Sequence, residues 1–319
     1  MSLQFKIAAF YEFKNIDNLH SLSKSLKSCC KTNQILGSII IAKEGINGTV
    51  AGISDSIDKL VGYIHDLGFC SLNIKYSETP TMPFYRSKIK IKKEIIAFLD
   101  GPIDSDANRA DSVSPQKWNE LISCPDVITI DVRNDYETKL GSFKNATSPR
   151  IKSFMEFKKY IDTELSTYKQ KKIAMYCTGG IRCEKASYYM RQIGFKEIFQ
   201  LNGGILKYME DIADEKSLWE GECFVFDNRV TVTSDLVKGS YELCRGCDEP
   251  ISELDKASDK FEKDVSCPNC YDTSSQTKKD RSRERSKQIS LADKRKTPNV
   301  YLPKKIEDYM KTAENIDES

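Results

Sequence analysis

The sequence predicts an α/β plus α+β protein made of two domains and a small cysteine-rich C-terminal region. Over the first hundred residues, apolar segments with the periods of strands and helices follow one another in the order β-α-β-β-α-β. From Trp118 onward, short apolar runs alternate with helical segments, which is typical of a parallel sheet. Four cysteines then occur as two Cys-x-x-Cys pairs. A chain of 319 residues is long enough for two or three such units.

The first domain is predicted at residues 1–100, and its element order is that of a ferredoxin-like, split βαβ fold. Asn47-Gly48 is a strong hairpin-turn signal between the second and third strands. Residues 88–98 alternate Ile with Lys and predict an edge hairpin. Strands are expected at 4–13, 37–42, 49–51 and 72–76, and helices at 17–31 and from Ser54 or Asp55 to about Leu67.

The second domain is predicted at residues 113–222, after a linker at 101–112 that is rich in Asp, Ala and Gly. Ser114 is expected to cap a helix that begins with Pro115. Buried strands are expected at 127–130, 172–176 and 198–201, and helices at 153–165, at 184–193 and after 202–204. Residues 223–319 are assigned to a four-cysteine zinc knuckle and a basic tail.

Composition excludes several classes of protein. No apolar run approaches the roughly 18 residues that span a membrane, and the first residues lack a secretory pattern, so we expect a cytoplasmic protein without membrane contact. Eleven cysteines, an odd number, indicate metal and redox chemistry rather than disulfides. With only His20 and His65, a two-His-one-carboxylate iron site is not expected. No Gly-rich dinucleotide-binding fingerprint is present, so we expect no flavin or nicotinamide cofactor. We also expect no haem.

Cys177 is the predicted reactive centre, because it stands where a buried strand ends and a helix begins. The glycines after it allow backbone N–H groups to face inward, and Arg182 and the helix N-terminus add positive charge. These features favour a thiolate, so the pKa of Cys177 should be low. Cys177 and Arg182 are the expected catalytic residues, and the rest of the active-site loop is Thr178, Gly179, Gly180, Ile181 and Cys183. Cys183 is either a resolving thiol or a packed helix residue, and both interpretations stay open.

The four residues between Cys177 and Arg182 match the rhodanese signature. Dual-specificity phosphatases have five, a wider cradle that fits phosphate, so phosphatase activity is disfavoured. The segment DVRNDYE at 131–137 resembles the first rhodanese homology region, in which Asp131 and Arg133 are expected to act in structure.

Four longer segments of the sequence identify a family more specifically than the reactive loop alone does. KEGINGT at 43–49, DVRNDYE at 131–137, YCTGGIRCEK at 176–185 and WEGECFVFD at 219–227 resemble the bacterial rhodanese-domain tRNA uridine hydroxylase family over residues 5–290. Asn228 is a departure, since an acidic residue is commoner there. The resemblance implies an acylphosphatase-like domain, a rhodanese domain and a Cys-rich basic tail. It also implies that tRNA uridine 34, the wobble base, is converted to 5-hydroxyuridine with molecular oxygen as co-substrate and Cys177 as the essential residue.

The reactive loop is compatible with more than one mechanism and more than one function. In a cofactor-free hydroxylation, the Cys177 thiolate would add to carbon 6 of uracil; alternatively, an oxidised or persulfidated Cys177 would transfer the atom. The second candidate function is a sulfurtransferase that carries a persulfide on Cys177. A non-catalytic RNA-binding module is disfavoured, because Cys177 and Arg182 are both present.

The two Cys-x-x-Cys pairs are separated by 19 residues, a spacing that predicts zinc. Four thiolates would close a tetrahedral site without an open position, so the zinc should be structural; reduced thiols and an iron–sulfur cluster are the alternatives. The predicted ligands are Cys244, Cys247, Cys267 and Cys270.

The stretch 278–305 has a net charge of +8 in a chain whose net charge is +2, which indicates a polyanion partner or a solvated tail. We expect the tRNA anticodon loop as partner, and no obligate protein partner is evident. Tyr176, Phe154 and Trp219 are candidates for stacking on bases, although core packing should account for at least two of them. The predicted RNA-binding residues are Arg150, Lys152, Lys278, Lys279, Arg281, Arg283 and Arg285.

Overall fold

A computed structural model describes residues 4–103 and 109–297. Its first domain is a five-stranded sheet in the order β4-β1-β3-β2-β5, in which only the β2–β5 pair is parallel. Helices α1 and α2 cover one face of this sheet, and Phe10, Leu26 and Ile57 lie in the core between them. The ferredoxin-like prediction is confirmed. The elements are β1 (Phe5–Phe13), α1 (Leu19–Thr32), β2 (Leu36–Ala42), β3 (Gly45–Gly52), α2 (Ser54–Asp66), β4 (Asn73–Thr79) and β5 (Ser87–Ile91).

Two local predictions in this domain are wrong. Asn47-Gly48 lies inside β3, and the hairpin turn is Lys43-Glu44. The Asn47 side chain instead donates to the Ile95 carbonyl at 3.0 Å, so the turn-forming residue serves a tertiary contact. Residues 88–98 form no hairpin: β5 is a single edge strand parallel to β2, and the segment after it is irregular.

The second domain contains a parallel sheet in the order β6-β10-β9-β7. Ser114 caps α3 by accepting from Lys117 N, and Pro115 is its first residue, as predicted. The elements are β6 (Asp111–Val113), α3 (Pro115–Ile122), β7 (Val127–Asp131), α4 (Asp135–Thr138), β8 (Gly141–Phe143), α5 (Phe154–Tyr160), β9 (Lys172–Tyr176), α6 (Ile181–Gln192), β10 (Glu197–Leu201) and α7 (Gly204–Asp211).

Some boundaries differ from the predictions. Strand β6 begins at Asp111, inside the predicted linker, and residues 104–108 of that linker lie outside the described residues. The α-helix predicted at 153–165 ends at Tyr160 and continues as a π-helical turn, Ile161–Leu165. Helix α6 begins at Ile181 rather than near Glu184, directly after Gly180, whose φ of 105° ends the preceding loop.

The described residues from Trp219 onward, which we call the C-terminal region of the structure, pack against both domains. Trp219 and Cys223 join the core of the second domain beside Trp118. On the first domain, Arg229 Nη1 donates to Ser77 Oγ at 3.0 Å. No helix within the described ranges is both long and apolar enough to cross a membrane. The elements are β11 (Trp219–Gly221), β12 (Cys223–Phe224), β13 (Thr231–Val232), β14 (Glu242–Leu243), β15 (Pro250–Ile251), α8 (Glu253–Lys256) and α9 (Gln276–Lys294).

A buried ion cluster joins the two domains. Lys185 on α6 is fully buried, and its Nζ lies 2.7 Å from a carboxylate oxygen of Glu44 and 2.7 Å from one of Glu94. Glu44 stands in the β2–β3 turn and also accepts from the backbone N–H groups of Ile95 and Ile103. The turn of the first domain is thereby tied to the helix that follows the reactive loop.

Candidate active site and metal site

The reactive loop connects β9 to α6 at the carboxyl end of the parallel sheet. Cys177 directly follows β9, and its Sγ accepts a hydrogen bond from Gly180 N at 3.1 Å. The Gly203-Gly204 turn packs beneath the loop, because Ile205 N donates to the Cys177 carbonyl at 3.0 Å. A Cβ at Gly204 would lie only 2.5 Å from that carbonyl oxygen, so glycine is required for this close approach.

Several donors favour the thiolate form of Cys177. Burial alone would raise its pKa, but the Cys183 thiol, the Arg182 charge and backbone N–H groups outweigh burial and lower the pKa to about 5. Cys183 is buried as well, and burial together with the neighbouring thiolate raises its pKa well above the usual value. Cys183 therefore stays a protonated donor, and it belongs to the same apolar core cluster as Cys177.

Arg182 is held by Glu137, a residue for which the sequence predicted no separate role. Its guanidinium forms two parallel hydrogen bonds with the Glu137 carboxylate, Nη1 to Oε2 at 2.6 Å and Nη2 to Oε1 at 2.8 Å. Burial would raise the pKa of Glu137, but the Arg182 charge reverses this and lowers it. Glu137 fixes the direction of Arg182 below the loop, and its presence in the segment 131–137 was the available signal.

Asp131 and Arg133 form a second buried ion pair. Arg133 Nη2 lies 2.6 Å from Asp131 Oδ2 and donates to the Gly141 carbonyl at 2.6 Å. The pair joins the end of β7 to β8. This geometry agrees with the structural role expected for both residues.

A cavity of about 900 Å³ extends from the loop to the first domain. The first domain supplies one wall with the sheet face that the helices leave open, including Tyr11, Asn47 and Lys75. The C-terminal region supplies Phe226, which is 56% exposed and whose ring centroid lies 5.8 Å from the Arg182 guanidinium carbon. Neither contribution was predicted from the sequence. All three of the predicted aromatic residues are buried in the core, and Phe154 also lines the cavity.

The four C-terminal cysteines, here called the cysteine cluster, have their sulfur atoms within 4.8 Å of one another. Sγ–Sγ distances are 3.9 Å for Cys244 and Cys270 and 3.8 Å for Cys247 and Cys267. A tetrahedral zinc site with Zn–S bonds of about 2.3 Å has sulfur atoms about 3.8 Å apart. The cluster could therefore hold such an ion. A Cβ at Gly246 would lie 2.2 Å from the Val265 carbonyl oxygen, which accounts for glycine in the first knuckle.

The predicted RNA-binding residues are spread over two surfaces. Arg150 and Lys152 are exposed in the loop between β8 and α5. On α9, Lys278 and Arg281 are exposed, and Lys279 Nζ lies 3.8 Å from the Tyr271 ring centroid.

The other two predicted arginines on α9 have partners within the protein. Arg283 pairs with Glu262 and Asp280. Arg285 donates to the Arg245 carbonyl at 3.0 Å. Residues 298–305 of the basic stretch lie outside the described residues.

A buried thiolate at the end of a parallel strand, with an arginine in the first turn of the next helix, defines a rhodanese-type site. Residues 114–211 match the rhodanese-like domain model, and residues 5–95 match the UPF0176 acylphosphatase like domain model. The tRNA uridine(34) hydroxylase of Teredinibacter turnerae is 47% identical over 292 residues, which cover 91% of each chain. The chain belongs to the tRNA uridine(34) hydroxylase family.

Solved structures of single rhodanese domains also resemble part of the chain. A rhodanese-related protein from Thermoplasma volcanium is 24% identical, with a TM-score of 0.26, covering 32% of this chain and 92% of its own. A rhodanese-like domain protein from Staphylococcus aureus is 26% identical, with a TM-score of 0.25, covering 31% of this chain and 90% of its own.

Proposed function

We propose that this protein hydroxylates the wobble uridine of tRNA, at position 34, to 5-hydroxyuridine, with molecular oxygen as co-substrate. The observation that carries the proposal is the 47% identity to a tRNA uridine(34) hydroxylase over 91% of both chains. The site agrees with it, because a cavity of about 900 Å³ leads to a thiolate and is within the size range of small-molecule pockets. The enzyme acts in the cytoplasm, and its partner is the tRNA anticodon loop.

Cys177 starts the reaction as a nucleophile. Its pKa of about 5 makes it a thiolate at neutral pH. The thiolate adds to carbon 6 of the uracil ring, the carbon 5–carbon 6 double bond opens, and its electron pair forms an enolate that ends on the carbon 4 oxygen. Arg182, held by Glu137, and the N–H of Gly180 keep the sulfur ionised and oriented before it attacks.

The enolate is the species that reacts with oxygen at carbon 5. One oxygen atom enters the base and the other leaves as water, which consumes two electrons; a thiol reductant supplies them in the assay below. The carbon 5 proton then leaves to solvent as the Cys177 sulfur leaves carbon 6, which restores the double bond and the free thiolate. The protein needs no flavin, nicotinamide or haem for this route.

The C-terminal region is proposed to present the RNA. The cysteine cluster would hold a structural zinc ion, which fixes the two knuckles and supplies no step of the reaction. The exposed charges of Lys278 and Arg281 on α9, and of Arg150 and Lys152, would contact tRNA phosphates. Lys279, Arg283 and Arg285 contribute to the same basic surface. Arg283 and Arg285 also hold α9 to the segment that carries the cysteine cluster, through Glu262 and the Arg245 carbonyl.

The test is conversion of unmodified tRNA by the purified protein in air with a thiol reductant, followed by mass spectrometry of the nucleosides. We expect 5-hydroxyuridine at position 34 from the wild type and none from Cys177→Ala. Thiosulfate and cyanide are supplied in a parallel reaction, because the four-residue loop also suits a persulfide. Thiocyanate formation without any 5-hydroxyuridine would replace the hydroxylase proposal with the sulfurtransferase one.

A further inference from the structure

The first domain brings a lysine into the cavity that contains Cys177. Lys75 lies on β4, on the open face of the sheet, and is partly buried. Its Nζ donates to Asn73 Oδ1 and lies 5.6 Å from the Tyr11 ring centroid. The lysine and Cys177 line one cavity from two different domains.

One contact places Lys75 beside the reactive loop, and a second places its neighbour Tyr11 there. A Cβ at Gly203 would lie 3.3 Å from Lys75 Cε, so the lysine runs over the Gly203-Gly204 turn. A Cβ at Gly180, on the other side of the loop, would lie 2.9 Å from the hydroxyl of Tyr11. Lys75 therefore contacts the Gly203-Gly204 turn that packs beneath the reactive loop, and its neighbour Tyr11 contacts the loop itself at Gly180.

We propose that Lys75 is a catalytic residue of the hydroxylation: its ammonium group donates a hydrogen bond to the carbon 4 oxygen of the uracil bound between it and Cys177. This inference rests on the proposed function. As the sulfur–carbon 6 bond forms, the electron pair of the ring double bond moves to that oxygen. A cation at that position stabilises the charge where it develops, as an oxyanion hole does.

The charges around Lys75 agree with this role. Burial lowers its pKa to about 8, partly offset by the negative charges of Cys177, Glu184 and Glu210, while Lys207 lowers it further. Glu184 accepts from the Tyr11 hydroxyl at 2.5 Å and pairs with Arg109 at 2.6 Å, so its charge is largely neutralised by other partners. The lysine is cationic at neutral pH, and its ammonium group has three N–H donors, of which Asn73 accepts from one.

The pH dependence of the first step follows from these two groups. The rate of addition should rise as Cys177 ionises, near pH 5, and fall as Lys75 loses its proton, near pH 8. Below pH 5 the thiol is protonated, and above pH 8 the hydrogen-bond donor is uncharged. The activity should therefore be highest between these two values.

The experiment measures two reactions separately. Reversible addition exchanges the carbon 5 hydrogen with solvent, so anaerobic release of tritium from tRNA labelled at uridine carbon 5 reports the first step without oxygen. Aerobic formation of 5-hydroxyuridine reports the complete reaction. Both are measured against pH for the wild type, Lys75→Met, Lys75→Arg and, as a control, Lys90→Met, which removes an exposed lysine from β5 of the same domain.

We expect Lys75→Met to lower both rates by about 10²–10³-fold, the usual effect of removing one such donor, and to lose the fall near pH 8. Lys75→Arg should retain more activity and also lose that fall, because arginine stays charged. Lys90→Met should match the wild type. Thermal melting and alkylation of Cys177 check that the Lys75 variants are folded with an intact thiolate.

The outcomes separate the inference from the proposed function. If Lys75→Met is folded and exchanges at the wild-type rate with an unchanged alkaline limb, the role of Lys75 is overturned while the hydroxylase proposal stands. If the wild type hydroxylates tRNA without exchange, the addition step and the role of Lys75 both fail. If it exchanges but forms no 5-hydroxyuridine, only the proposed function fails. If it does neither, both proposals fail.

Discussion

The molecule holds two groups of largely buried thiols, and they differ in what balances their negative charge. Around Cys177, the protein itself supplies the positive charge and donors through Arg182, Gly180 and Cys183, and a single sulfur is ionised. In the cysteine cluster, four sulfurs lie within 4.8 Å of one another. So many thiolates at this distance repel one another unless a cation lies between them. One arrangement leaves a sulfur available to react, and the other has the geometry to use all four sulfurs as metal ligands.

The comparison is most strongly tested by removing one sulfur from each site. Cys177→Ala should lower 5-hydroxyuridine formation by at least about 10³-fold, because the nucleophile is lost. Its melting temperature should stay near that of the wild type. Cys124→Ala, which removes an exposed thiol, is the matched control and should leave activity unchanged. Substantial activity in Cys177→Ala would mean that this thiol is not the reactive group.

Removing one sulfur from the cysteine cluster should impair local folding and leave the reactive thiol intact. Cys267→Ser should lose bound zinc and make residues 240–275 sensitive to limited proteolysis, because metal binding and local folding are coupled. Alkylation of Cys177 should keep its wild-type pH dependence. Zinc content is measured by elemental analysis of protein purified without oxygen. Wild-type protein without zinc would remove the basis for the contrast between the two sites.

The ion pair below the loop gives a smaller but measurable effect. Glu137→Gln leaves the buried Arg182 without its carboxylate, and breaking such a pair typically costs about 3–5 kcal/mol in the free energy of unfolding. Asp135→Asn is the control, since the Asp135–Lys139 pair is largely exposed and should contribute at most about 1 kcal/mol. Urea unfolding of both variants measures the difference. Equal effects would contradict a structural role for the buried pair.

The smallest expected effect comes from Cys183. Cys183→Ala removes the thiol that donates to the Cys177 sulfur, so the pKa of Cys177 should rise from about 5 by roughly one unit. Because the thiolate is the species that reacts with iodoacetamide, the alkylation rate rises with pH, and its midpoint should shift upward. Cys223→Ala, another buried cysteine, should leave the midpoint in place. Because Cys183→Ala cannot form a Cys177–Cys183 disulfide, comparing it with the wild type after oxidation also shows whether that disulfide forms.

The reactive loop and the cysteine cluster were predictable because each is encoded by nearby residues. A buried strand, two glycines and Arg182 specify the loop within eleven positions, and two Cys-x-x-Cys pairs specify the cluster. The ferredoxin-like order was likewise visible in apolar periodicity. These features depend on local backbone geometry, which sequence patterns report directly.

The cavity was not predictable in the same way. Lys75, Tyr11 and Phe226 reach it only because the first domain and the C-terminal region dock on the second domain. Nothing in the sequence near Lys75 distinguishes it from a surface lysine on an amphipathic strand. The Asn47-Gly48 error has the same origin, because a contact with the distant Ile95 carbonyl overrides the local turn preference.

The buried cluster of Lys185, Glu44 and Glu94 has a consequence for how this chain can evolve. If recombination replaced the first domain with an unrelated one, Lys185 would be left buried at the start of the reactive helix without its counter-charges, at a cost of several kcal/mol. The recombinant protein would be less stable than the parent before any new function arose. The reactive loop and the acidic turn about 130 residues upstream should therefore be inherited together, as one heritable unit rather than two interchangeable modules.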